Sequence, residues 1–121
     1  LSLDSNRLSH VKQAWFTGLE KLVVLILSNN NIKQIDPRSF AHLKNLVGLD
    51  LENNLLQVVD SSWLFGPTGG LVLDLRSNAI NSISPAAFHH VHLSWLDLRG
   101  NDLSCLDEDV LVVGQSLLLD L

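Results

Sequence analysis

Short bursts in which leucines alternate with polar or variable residues recur along this chain, and each burst runs into an asparagine. The stretches "LDLRSNAINSI" from Leu73 and "LDLRGNDLSCL" from Leu96 share the pattern L-x-L-x-x-N-x-apolar-x-x-apolar, as do those opening at Leu1, Leu25 and Leu49. Alternation with a period of two marks a strand with one buried and one wet face, so each burst predicts one short strand. The asparagines are Asn6, Asn30, Asn54, Asn78 and Asn101, spaced by 24, 24, 24 and 23 residues, and "LLLDL" from Leu117 opens a sixth copy. A fixed period of this length is the signature of a stacked repeat.

Ten residues after each of the first four asparagines stands a bulky apolar residue, Phe16, Phe40, Leu64 or Phe88, followed by Leu19 and Leu22, Leu43 and Leu46, and Val91 and Leu93. These positions are expected to fill the interior from the return arm of each coil. One coil alone cannot bury its leucines, whereas stacked coils set equivalent side chains about 4.8 Å apart as a continuous column. The asparagines are expected to be structural, each satisfying backbone groups where its coil turns a corner.

Five copies in register resemble the leucine-rich repeat family, in its roughly 24-residue form with a phenylalanine in the return arm, as in Toll-like receptors, variable lymphocyte receptors and neuronal adhesion proteins. The resemblance implies an α/β solenoid: a curved horseshoe with a concave parallel β-sheet and an irregular or 3₁₀ convex side. It also implies an extracellular setting, secreted or as the ectodomain of a membrane-anchored protein. Residues 1–121 read as one leucine-rich repeat domain of five repeats and the start of a sixth, without terminal caps, which suggests a piece of a longer protein or lost caps. "NDLSCLD" from Asn101 resembles the opening of a C-terminal cap with several departures. Its Cys105, the sole cysteine, reads either as a cap relic with a missing partner or as a small semi-buried residue.

With 8 basic residues against 13 acidic ones the formal net charge is −5, so the expectation is no nucleic acid among the partners and no attraction to anionic membranes. No apolar run approaches the roughly 18 residues of a membrane span. No N-x-[ST] sequon helps to assign a compartment.

Function is sought in the residues that vary on the wet face. Asp50, Asp74 and Asp97 form a column with Asp120 next in line, and neighbouring charges at this spacing repel by roughly 1 kcal/mol in water and about 3–4 at an effective dielectric of 20. Arg76 and Arg99, two residues on, are placed to offset that. The face then reads either as self-neutralised or, with Trp95, as a binding patch, because tryptophan and arginine are frequent interface hot spots. The candidate ligand-binding residues are Trp95, Asp97, Arg99, Asp74, Arg76, Asp50 and Glu52. Trp95 has simple packing against Arg99 or Val72 as its competing role. A Ca²⁺ site in the column is disfavoured by the adjacent arginines, and no metal or cofactor is expected.

"FHHVH", with His89, His90 and His92, reads as a solvated convex face on the return arm and not as a zinc site. "LFGPTGGL", Leu64 to Leu71, places Pro67 and Gly70 where apolar residues are expected and predicts a local loop. Trp15 and Trp63 are read as convex cover or a lateral dimer contact. No nucleophile–base pair or phosphate loop is present, so no enzyme is expected. Two binding functions fit: recognition of a microbial surface component, glycan or lipopolysaccharide, by an innate-immune receptor, or protein binding by an adhesion or signalling ectodomain, including homodimerisation.

Overall fold

The computed structural model describes residues 1–84 and 86–103, and the backbone of 117–118. Cys105 and Asp120 lie outside the described residues. Five strands form one parallel sheet in the order β2 (Val24–Ile26), β4 (Gly48–Asp50), β6 (Gly70–Asp74), β8 (His92–Asp97) and β9 (Leu117–Leu118). Four two-residue strands, β1 (His10–Val11), β3 (Gln34–Ile35), β5 (Val58–Val59) and β7 (Ser82–Ile83), pair in parallel as β1 with β3 and β5 with β7. The return arms carry turns and two 3₁₀ segments, Gln13–Phe16 and Ser61–Trp63, and no α-helix among the described residues. The chain is a leucine-rich repeat solenoid.

β2 and β4 start one residue before the first leucine of their motifs, β6 and β8 three and four residues before it, and the second leucine follows just outside each. The ladder nevertheless continues: the N–H groups of Leu27, Leu51 and Leu75 donate to the carbonyls of Asp50, Asp74 and Asp97 at 2.8, 2.9 and 3.0 Å. Leu25, Leu49, Leu73 and Leu96 are buried in one column, with Phe16, Phe40, Leu64 and Phe88 closing it from the return arms. Phe16 stacks on Phe40 with ring centroids 6.0 Å apart, and Phe40 meets the edge of Trp63 at 6.1 Å. Trp63 is therefore a core residue and not the convex cover or dimer contact expected, since the 3₁₀ segment turns its ring inward. Leu19, expected inside, is exposed, because the coil it serves has a neighbour on one side only within this chain.

The asparagine ladder explains how the stack closes its corners. Asn54 Nδ2 donates to the carbonyls of Leu51 and Leu27, both at 3.0 Å, while its Oδ1 accepts the Ile32 N–H at 3.1 Å. Asn30, Asn78 and Asn101 repeat this arrangement one coil at a time. The residue before each asparagine, Ser5, Asn29, Asn53, Ser77 or Gly100, has a positive φ between 55° and 75°. Small polar residues and glycine tolerate that left-handed turn, which swings the asparagine side chain into the coil.

One irregularity matters for the face above the core. Register runs Leu71 to Leu93 and then Val72 to Trp95, so Ser94 is an extra residue in β8. Leu22 to Leu25, Leu46 to Leu49 and Leu93 to Leu96 each leave two residues between leucines, whereas Leu71 to Leu73 leaves one. The shift therefore marks the shorter third coil, and Ser94 and Trp95 stand at the outward positions of Val47 and Gly48. In the third repeat the predicted loop is shorter than Leu64 to Leu71: Gly70 already opens β6 and Pro67 is buried in place of an apolar residue.

Candidate ligand-binding face

Three columns of side chains cross the five-stranded sheet, because every second residue of each strand faces away from the core and the parallel register aligns equivalents. The first column is Val24, Gly48, Val72 and Trp95, paired rung to rung. The second is Ile26, Asp50, Asp74 and Asp97. The third, just past the strands, is Asp4, Ser28, Glu52, Arg76 and Arg99, running from acidic to basic along the stack.

The first column is apolar and interrupted. Val24 and Val72 are 44% and 42% exposed, Trp95 is half-buried, and Gly48 between the valines has no side chain. The gap is the floor of a hollow of about 210 Å³ walled by Val24, Ile26, Val72 and Trp95, with Gly48 beneath and Asp50 at its margin. Trp95 thus stands beside Val72, its rung partner, as the far wall of this hollow.

The aspartates first serve the backbone. Asp50, Asp74 and Asp97 each accept, through Oδ1, the N–H two residues on, at 2.9, 3.1 and 3.1 Å. This bends the chain out of the strand, a common use of aspartate. Arg76 then binds Asp74 through Nε at 3.0 Å and Nη2 at 2.7 Å, and Arg99 binds Asp97 at 3.0 and 2.8 Å in the same forked geometry. Arg76 reaches further: its Nη2 lies 2.9 Å from Glu52 and its Nε 3.5 Å from Asp97, so one guanidinium ties three coils. Asp74, foremost, raises the Arg76 pKa further.

Burial separates the three aspartates. Asp97 is fully buried and Asp74 nearly so, beneath their arginines. Burial pushes the Asp97 carboxyl up, but hydrogen bonds from the Arg99 side chain and backbone and the charges of Arg99 and Arg76 outweigh it, leaving it below the usual carboxylate range. Asp97, proposed from sequence as a ligand contact, is thus a support beneath Arg99, because the strand curls its carboxylate under the guanidinium. Asp50 differs: two residues on it has Glu52 in place of arginine, and no ion pair reaches it among the described residues. Burial foremost, with the charges of Asp74 and Asp4, raises its pKa against the hydrogen bond from the Glu52 N–H and the charge of Arg76. At the start of the third column Asp4 is held low by the Ser28 hydroxyl, then by Ser5 and Asn29.

Oxygens of Asp50, Glu52 and Asp74 lie within 4.8 Å of one another, a spacing a cation could bridge. Arg76 already supplies that cation to Glu52 and Asp74. Sequence reasoning brought Asp74, Arg76, Asp97 and Arg99 together correctly as pairs, but it missed the reach of Arg76 to Glu52 and the role of Gly48, whose signal was a glycine among valines at one repeat position. On the opposite side His90 is exposed and stacks on Phe65 at 4.2 Å, with the Arg38 guanidinium 4.5 Å from the same ring. His92, read as part of the return arm, opens β8 instead.

The leucine rich repeat model matches residues 1–56 and 45–103, which together cover most of the chain. The chain belongs to the leucine-rich repeat family. Among curated proteins none matches it. Among solved structures it is similar to the TLR13 chain in a crystal structure of a TLR13–ssRNA13 complex, with 34% identity and a TM-score of 0.86. The match covers 98% of this chain and 18% of that one, so this leucine-rich repeat chain spans under a fifth of its relative's length. The repeats are similar to those of that Toll-like receptor chain. That complex corrects one expectation drawn from composition. A net charge of −5 does not exclude nucleic acid as a partner of such a surface, because a repeat array of this type is found with ssRNA. Net charge sums the whole surface, whereas single-stranded nucleic acid also gains affinity locally, from bases stacked on aromatic side chains and from individual arginines.

Proposed function

We propose that this chain is part of the ligand-recognition surface of a Toll-like receptor-type ectodomain, working outside the cytosol in innate-immune recognition of a microbial component. The reading rests chiefly on the sheet face between Val24 and Trp95, where an apolar hollow lies beside a fixed lattice of carboxylates and guanidiniums. Its side chains vary from coil to coil while the backbone that carries them is locked by the leucine column and the asparagine ladder. A rigid frame of this kind binds with little ordering cost. Trp95 offers a flat apolar surface to a ring, and Arg76 and Arg99 offer donors to phosphate or hydroxyl oxygens.

Single-stranded RNA is the first ligand to test, on the strength of the TLR13–ssRNA13 complex, followed by microbial polysaccharide and lipopolysaccharide. The test is titration of the folded chain with each, alongside Trp95→Ala. Binding of any one of them that weakens in the variant supports the reading; no binding to any of them removes it. A protein ligand is the second reading, favoured by the exposed Val23, Val24, Val47 and Val72 along one edge of the face.

A further inference from the structure

The aspartate column repeats the same device at three rungs and completes it at two. Asp74 and Asp97 each receive a forked arginine from two residues on. At the third rung that position is Glu52, whose carboxylate turns to Arg76, so Asp50 keeps one hydrogen bond, from the Glu52 N–H through Oδ1. Asp50 and Asp74 both line the hollow over Gly48, and of the two only Asp74 is held by Arg76. The hollow itself is nearly all apolar, and its depth comes from the missing side chain at Gly48 between Val24 and Val72.

An apolar slot ending at a carboxylate that has no direct ion pair among the described residues, Arg76 being bonded to Glu52 and Asp74, is complementary to a cation carried on an aliphatic stem. We propose that the Gly48 hollow receives a lysine or arginine side chain of a protein ligand, its stem lying between Val24, Val72 and Trp95 and its cationic head on the Asp50 carboxylate. Basic side chains bury their stems along apolar surface while the head pairs with charge, and Trp95 adds a ring face that attracts cations. A free phosphate or a sulfate has no favourable place there, since Asp50, Glu52 and Asp74 lie within 4.8 Å of one another. A neutral side chain would fill the slot and leave Asp50 unpaired. The inference rests on the sheet face being the ligand surface and specifies which group of a protein ligand it reads.

Space at Gly48 makes the idea testable without breaking the fold. A Cβ there would meet Val24 Cγ2 at 3.6 Å, an ordinary contact, and valines occupy the equivalent rungs on both sides. Gly48→Val should therefore fold and fill the slot. The experiment is NMR titration of the chain with three end-capped, glycine-spaced peptides that differ at one residue: lysine, arginine or norleucine. Lysine or arginine peptides are expected to shift the Gly48 and Asp50 amides and the Trp95 indole, and to bind at least about tenfold more weakly to Asp50→Asn and to Gly48→Val, the scale of a lost charge-assisted hydrogen bond. Equal binding of the norleucine peptide, or undiminished binding in either variant, would overturn it. So would Ca²⁺ shifting the same amides while the basic peptides do not. Binding of RNA or glycan that depends on Trp95 but is indifferent to both variants would keep the broader reading and remove this one.

Discussion

Asp50 and Asp74 are partners on adjacent rungs of one parallel sheet, yet Arg76 pairs with Asp74 and passes over Asp50 to reach Glu52. Two aspartates in the same repeat position thus have opposite electrostatic situations. The difference follows from one residue, Glu52 where the next two coils carry arginine.

Asp50→Asn should leave the fold as stable or slightly more stable. Burial raises the Asp50 pKa, so the ionised form is penalised in the folded chain, and that penalty is complete above the folded value and vanishes below the unfolded one, near 3.9. Asparagine keeps an acceptor for the Glu52 N–H. Thermal unfolding should show a gain of up to about 0.5 kcal/mol at pH 7, closing as the pH falls through the Asp50 pKa.

Asp97→Asn should have the opposite sign. Its folded pKa is below the unfolded value, so its contribution to stability is present above pH ~3.9 and is lost as the pH falls through the lower, folded value. Removing the charge weakens the fork to Arg99 and the contact to Arg76, a loss of about 1–3 kcal/mol at neutral pH. Urea unfolding at pH 7 and at pH 3 should show the variant's deficit shrinking in acid.

Asn54→Ala should cost about 2–4 kcal/mol, because the Ile32 N–H and the carbonyls of Leu27 and Leu51 lose a shared buried partner. Asn6→Ala is the control: Asn6 is exposed, and its loss should stay within about 0.5 kcal/mol. Equal losses at the two positions in urea unfolding would contradict the structural role assigned to the ladder.

Gly66→Ala should destabilise by about 2 kcal/mol or more. Gly66 has φ +122°, and a Cβ would stand 2.2 Å from the Phe40 carbonyl oxygen of the neighbouring coil. Gly69→Ala, three residues along the same loop and in open space, should change the unfolding midpoint little.

The repeat period, the strand positions, the leucine column and the asparagine ladder were all legible in the sequence, because each depends on residue type at a fixed spacing. Asp74 with Arg76 and Asp97 with Arg99 were legible too, since a two-residue separation past a strand puts both on one side. What escaped depended on neighbours in space. Trp63 reads as surface until the 3₁₀ segment turns it onto Phe40, and Asp97 reads as wet until Arg99 and Arg76 close over it. That Trp95 walls the hollow shows only once the rung pairing sets it beside Val72, with Gly48 on the next rung. The partner expectation failed for a different reason: it used the charge of the whole chain to judge a face whose contacts are local.

The central claim is that the sheet face bearing Trp95, and not the return-arm side, recognises the ligand. Trp15 is a natural counterpart, since it is 40% exposed on the 3₁₀ segment of the first return arm. The most direct measurement is the affinity of the chain, of Trp95→Ala and of Trp15→Ala for single-stranded RNA and for microbial polysaccharide, with folding confirmed for each. The account predicts at least about tenfold weakening for Trp95→Ala, the scale of a lost stacking contact, and unchanged affinity for Trp15→Ala. Loss of binding in Trp15→Ala with Trp95→Ala unaffected would contradict it.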